Sequence, residues 1–217
     1  MPPRPSPALI VAFILAVFLT LAGHHWPNLW LVYVFKPLAT LLLVAIAFLN
    51  WTHSRSPVAL WIVIGLLFSL VGDIFLIWPN QYFLPGLASF LLAHIAYLLA
   101  FTRDCKFPAR AAIWLAYLLI ATLFYAILFP TLPGGLLLPV ALYAALLSTM
   151  AGQAMGRFLV LKNVSARFAA IGALLFLLSD LLLAFHRFRG PLLYSTLLIL
   201  LPYYIGQWLI ASSTRPR

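Results

Sequence analysis

The sequence predicts an all-α, polytopic membrane protein with about eight transmembrane helices. Of its 217 residues, 65% are hydrophobic and 7% are charged, where soluble domains carry roughly 25% charged residues. The mean hydropathy is +1.11. A water-soluble fold of this length needs a polar surface that this composition cannot supply. The apolar residues also run in long blocks broken by Pro, Gly or charge. The chain therefore reads as one integral membrane domain, 1–217, with no soluble appendage.

A bilayer core of ~30 Å calls for ~20 apolar residues per helix. Segments 8–22, 29–50, 58–78, 83–101, 110–129, 136–156, 166–185 and 191–211 meet that need, the first being the shortest. The breaks at 23–27, 53–57, 79–81, 103–108, 130–135, 157–167 and 186–191 carry turn and interface signals. The first segment follows Arg4 and lacks a small-residue cleavage pattern near 23–25, so it reads as an uncleaved helix. Trp26, Trp30, Trp51, Trp61 and Trp78 fall near segment ends, as an interfacial belt requires.

Thirteen Lys and Arg face three acidic residues, a net charge of +10. The basic residues are scattered between apolar blocks and form no run, so no nucleic-acid partner is expected; the partner is the lipid bilayer. With the N-terminus in the cytoplasm, that side holds Arg4, Arg55, Arg103, Lys106, Arg110, Arg157, Lys162, Arg167, Arg215 and Arg217. The other side holds only Arg187 and Arg189. Ten against two is a strong positive-inside asymmetry and puts both termini in the cytoplasm. The Leu/Ala/Arg-rich usage and short loops read as bacterial, hence an inner membrane. The single cysteine, Cys105, allows no intrachain disulfide. No metal-ligand cluster or cofactor motif is present, so none is expected.

An internal repeat is visible. Gly65-Leu-Leu-Phe-Ser-Leu-Val-Gly-Asp73 matches Gly172-Ala-Leu-Leu-Phe-Leu-Leu-Ser-Asp180 at an offset of 107 residues, which also pairs Lys36 with Tyr143 and Tyr97 with Tyr204. Four helices per half would make these parallel repeats.

Chemistry centres on the acids. Asp104 sits in a basic loop and reads as solvated. Asp73 and Asp180 lie within apolar helices, where a charge is unfavourable by ~2.5–3.5 kcal/mol and usually functional; helix-to-helix hydrogen bonding is the plainer explanation. On the segments above, both acids lie ~8 Å from their outer helix ends, with Lys36 and Tyr143 near 10 Å. His94 and Tyr97 share a face at i, i+3. Tyr203, Tyr204 and Gln207 are deeper hydrogen-bonding candidates. This set predicts one cavity opening toward the outer leaflet, with Lys36, Tyr143 and His94 around the two carboxyls. Lys36 could equally snorkel to the interface, and Pro37 beside it is expected to kink its helix. Two carboxyls in a dry site divide into one protonated acid and one ionised, the pairing of general acid catalysis through an oxocarbenium ion. Ser179, a donor beside Asp180, points to Asp180 as the ionised partner. The Gly-x-Gly-Asp motif of intramembrane aspartic proteases is absent, because Leu70-Val71-Gly72 precedes Asp73.

From Lys36 to Gln207 the sequence resembles the YhhN-like lysoplasmalogenase family. The matching pieces are Lys36-Pro37, Ser69-x-x-Gly72-Asp73, Phe83-x-x-Gly86, Phe90-x3-His94-x-x-Tyr97, Pro139-Val140-x-x-Tyr143, Gly172-Ala173-x-x-x-Phe176-x-x-Ser179-Asp180 and Tyr203-Tyr204-x-x-Gln207. The resemblance implies a lysophospholipid substrate, hydrolysed at its vinyl ether bond to a fatty aldehyde and a glycerophospho-alcohol. Asp73 and Asp180 would be catalytic, supported by Lys36, His94, Tyr97, Tyr143, Ser179, Tyr204 and Gln207. The competing reading is a small proton-coupled transporter or lipid-handling membrane protein using the same aspartates as a relay. A transporter needs polar groups in both leaflets, and Gln153 is one of few candidates on the cytoplasmic side. A reporter fused to the C-terminus is expected to be active only in the cytoplasm; activity confined to the outer side would overturn the eight-helix arrangement.

Overall fold

Lipid offers no hydrogen bonds, so a spanning backbone must satisfy its own. The computed structural model describes residues 6–26 and 28–214, and there the chain is helical throughout apart from its connections. The helices are α1 (Pro7–His25), α2 (Leu29–Ser54), α3 (Pro57–Phe75), α4 (Pro79–Thr102), α5 (Ala111–Leu128), α6 (Leu137–Leu161), α7 (Val164–Phe188) and α8 (Ser195–Ser212). All eight spans are long and apolar enough to cross a membrane. Arg4, Arg215, Arg217 and Pro27, used above, lie outside the described residues.

Several boundaries differ from the hydropathy blocks, for local reasons. α3 stops at Phe75, and Pro79, read above as a break, instead opens α4 at its first position. Proline's fixed φ and missing N–H suit that position. Pro85 then removes a backbone donor inside α4, and the helix bends at Tyr82 (φ −119°, ψ 26°). α2 runs continuously through Pro37 and ends at Arg55 in the left-handed region. α6 runs five residues beyond its apolar block, to a left-handed Lys162. α7 then starts at once because the Asn163 side chain accepts from Ala166 N–H at 2.8 Å.

The extra length of α6 carries Arg157 into the interior. Asp104 is therefore not simply solvated. Arg157 Nε and Nη2 donate to its two carboxylate oxygens, each at 2.6 Å. One turn earlier on α6, Gln153 accepts from Ala109 N–H and donates to the Phe101, Cys105 and Lys106 carbonyls. These two side chains hold the connection between α4 and α5.

Helix packing follows the repeat. α1 packs on α2, α2 on α3 and α3 on α4; α5 packs on α6, α6 on α7 and α7 on α8. The halves meet where α2 touches α8 and α4 touches α6, which are equivalent pairs under exchange of the halves. The two repeat glycines do matching work. A Cβ on Gly65 would lie 2.3 Å from the Tyr97 ring of α4, and one on Gly172 would lie 2.6 Å from the Gly206 carbonyl of α8. Close approach through small residues is how helices adhere in lipid. The main core gathers side chains from α1–α4 and α6–α8, while α5 lies on the outside against α6.

Gly172→Ala should lower stability by about 1–3 kcal/mol, because the nearest obstructing atom, the Gly206 carbonyl oxygen, is backbone and cannot rotate away. Gly134→Ala, facing open space, should be nearly neutral. Thermal unfolding in detergent distinguishes the two, and equal midpoints would contradict the packing at Gly172.

Candidate active site

α2 presents Lys36 and Thr40 one turn apart on the same face. Thr40 Oγ1 donates to Asp73 Oδ2 at 2.5 Å. Tyr203 Oη, from α8, donates to the same oxygen at 2.6 Å. Lys36 Nζ stands 3.9 Å from Oδ1 and donates to the Leu76 carbonyl at 3.3 Å. Leu76 caps the C-terminus of α3, where a cation complements the helix dipole. Lys36 does not snorkel; it is 6% exposed. Behind this cluster the polar chain continues inward: Gln207 Nε2 donates to Tyr203 Oη, Tyr97 Oη donates to Gln207 Oε1 at 2.8 Å, and Ser69 Oγ lies 3.2 Å from Tyr97 Oη.

Asp180 is differently furnished. Tyr143 Oη, from α6, donates to its Oδ2. Among the described residues it has no ion-pair partner. The donor expected from Ser179 goes elsewhere, because its hydroxyl binds the Ile199 carbonyl at 2.8 Å. Neighbouring residues on a helix point in different directions, and Ser179 faces α8 while Asp180 faces open space. The reason given above for an ionised Asp180 is thereby removed.

Both aspartates line one cavity of about 510 Å³. Every helix contributes to it, and always with the end opposite the chain termini: His24 from α1, Lys36 from α2, Asp73 from α3, Asn80 and Phe83 from α4, Tyr125 from α5, Tyr143 from α6, Arg187 from α7 and Thr196 from α8. Apolar side chains cover much of its wall, among them Leu87, Phe90, Phe124, Leu128, Val140 and Leu183. The site is thus a largely apolar chamber with a limited set of polar groups, the two carboxyls among them, the usual build of a small-molecule pocket. Among the described residues, no group of three or more His, Cys, Asp or Glu side chains comes together to hold a metal.

Comparison with known proteins places the chain. The YhhN family matches residues 31–214. The chain belongs to the YhhN family. It is 40% identical over 162 residues to the human protein named lysoplasmalogenase TMEM86A, covering 72% of this chain and 66% of that one. It is 35% identical over 164 residues to rat lysoplasmalogenase TMEM86B, covering 75% and 65%. It is 24% identical over 204 residues to the Escherichia coli membrane protein YhhN, covering 94% and 96%. The chain thus spans just under two thirds of the length of the human TMEM86A relative. No solved structure matches it significantly.

Within this YhhN fold the sequence-predicted residues separate into three groups. Lys36, Asp73, Tyr143, Ser179 and Asp180 line the cavity. Tyr97 and Gln207 do not; they form the inner hydrogen-bond chain behind Tyr203. His94 and Tyr204 do neither. His94 is wedged between the rings of Tyr143 (5.1 Å) and Phe176 (4.9 Å), with both nitrogens buried and, among the described residues, without a hydrogen-bond partner. Its packing against Phe176 keeps it under the cavity wall rather than on it. Tyr204 packs edge-on against Phe13 and Tyr203, and among the described residues its hydroxyl lies within hydrogen-bond geometry of no partner. The matched depths also need correction. With α3 ending at Phe75 and α7 at Phe188, Asp73 lies ~3 Å and Asp180 ~12 Å from its own helix end. The two meet at one cavity because α3 stops early, not because equal counts separate them from the surface.

Thr40 is the partner that sequence reasoning missed. Its spacing from Lys36, i+4, was the available signal. Asp73→Ala should destabilise the protein by about 3–5 kcal/mol by stranding a buried ammonium. Lys36→Met in the same chain should restore at least ~1 kcal/mol of that. Thermal unfolding of the four-member cycle measures the coupling, and strictly additive losses would show that the pair does not interact.

Proposed function

We propose that this protein is a lysoplasmalogenase: an intramembrane hydrolase that cleaves the vinyl ether bond of a lysophospholipid, with Asp73 and Asp180 as its catalytic acids. The observation that carries the reading is the convergence of two unequally furnished carboxyls on one largely apolar cavity. The names of the human and rat relatives, lysoplasmalogenases, support the substrate class. A chamber walled by Phe and Leu suits an alkenyl chain, and its polar end suits the glycerol backbone.

The two carboxyls divide the work by their partners. Asp73 accepts from two hydroxyls with a lysine beside it, and all three contacts favour the carboxylate. Among the described residues Asp180 has one hydroxyl partner and no cation, so it serves as the acid. It delivers its proton to the vinyl carbon distal to the ether oxygen. The π electrons form the new C–H bond, and the oxygen lone pair stabilises the cation left on the adjacent carbon. Asp73 supports this oxocarbenium ion electrostatically. Water adds to the cationic carbon and gives a proton back to Asp180. The resulting hemiacetal then breaks its C–O bond, releasing a fatty aldehyde and a glycerophospho-alcohol. One water is consumed, and both carboxyls end as they began.

We further propose that both termini face the cytoplasm of a bacterial inner membrane, so that the cavity opens at the outer leaflet.

Purified protein should release aldehyde from lysoplasmalogen and none from an acyl lysolipid of the same chain length. Asp73→Asn and Asp180→Asn should each fold and each lose activity by about 10²–10⁴-fold, since Asn can neither donate that proton nor carry that charge. Near-normal turnover in either variant would remove that residue from the chemistry and leave helix packing as its role.

A further inference from the structure

We propose that Arg187 is the phosphate anchor of the cavity, and that it sets the register in which the vinyl ether meets Asp180. This rests on the lysolipid reading above. Arg187 and Asp180 lie seven residues apart on α7, which puts them on one face with ~10.5 Å of rise between them. Both line the cavity. In a lysoplasmalogen, seven bonds separate phosphorus from the carbon to be protonated, and that run extended covers roughly 8–9 Å at ordinary bond lengths. A phosphate held at Arg187 therefore delivers the reacting carbon to the level of Asp180.

The guanidinium is placed and largely unoccupied. Its Cζ lies 4.1 Å from the centroid of the Phe83 ring, and Nη2 donates to the Pro79 carbonyl at 3.3 Å. Both contacts come from the start of α4, which the bend at Tyr82 and Pro85 holds over the cavity. An arginine has five N–H donors, and the Pro79 carbonyl is its single hydrogen-bond partner among the described residues. It has no carboxylate there either. A fixed, unpaired guanidinium beside an apolar chamber is the arrangement that takes a phosphate in bidentate fashion. Lys36 cannot do this as well, being engaged by Asp73 and the Leu76 carbonyl. Nearby, Leu192 N–H donates to His186 Nδ1, so in the neutral ring Nε2 carries the proton and is a second donor at the cavity.

The test uses full-length protein in detergent and two substrates: an alkenyl glycerophosphoethanolamine and the matching alkenylglycerol without phosphate. Wild type should prefer the phospholipid, and Arg187→Met should reduce that preference by about ten- to a hundredfold through KM. Arg187→Lys, keeping charge without the fork, should fall between. Binding is read separately with an uncleavable 1-O-alkyl glycerophosphoethanolamine. It should raise the thermal midpoint of wild type more than of Arg187→Met, while inorganic phosphate alone should do little. An unchanged preference in Arg187→Met overturns the inference even where aldehyde is released. Stabilisation by inorganic phosphate equal to that by the lipid also overturns it, by assigning the site to a free anion. Arginine-dependent lipid binding without aldehyde release would sustain the anchor and refute the hydrolase.

Discussion

Asp73 is the point at which three helices are tied together. Its carboxyl, in the last turn of α3, takes hydroxyls from α2 and α8 and faces a lysine that also caps its own helix. A buried charge or hydroxyl left without its partner is unfavourable, so each of these groups depends on the others. The seating of α3 against α2 and α8, the early end of that helix and the space above it are therefore parts of one arrangement. The cavity exists because α3 stops at Phe75 and the chain turns back through Pro79, leaving the upper lengths of α7 and α8 facing open volume.

The same physics separates the two ends of the bundle. Where the cavity lies, polar side chains face space. At the opposite end they face each other or the backbone: Gln153 binds three carbonyls and one N–H of the connection between α4 and α5, and Arg157 closes on Asp104. A transporter needs a polar route through both leaflets. Gln153, the cytoplasmic-side candidate for such a route, is committed to holding a loop. A one-sided chamber suits a catalyst that admits a lipid and returns its products to the same side.

The eight-helix architecture was legible because bilayer thickness sets helix length and apolar composition reports it directly. The pairing of the halves was legible through an offset of 107 residues that recurs at Gly65, Asp73 and Lys36. Less visible was anything that depends on helix rotation. Uniformly apolar helices carry little information about which face turns inward, so His94 was placed on the cavity when Phe176 and Tyr143 hold it beneath the wall. Ser179 was assigned to Asp180 when its hydroxyl points to α8. Helix ends were misjudged where proline begins a helix, as at Pro79, and where an arginine is buried by an ion pair, as at Arg157. Thr40 escaped notice because a threonine in an apolar helix is unremarkable until a carboxylate from another helix arrives opposite it.

The central claim is that a carboxylic acid in this cavity protonates carbon. Turnover of lysoplasmalogen in D₂O measures that directly. The account predicts a fatty aldehyde carrying one deuterium on the carbon next to the carbonyl, detected by mass spectrometry, with slower turnover than in H₂O. Aldehyde released without deuterium at that carbon would mean that the bond breaks by another route, and would contradict the account.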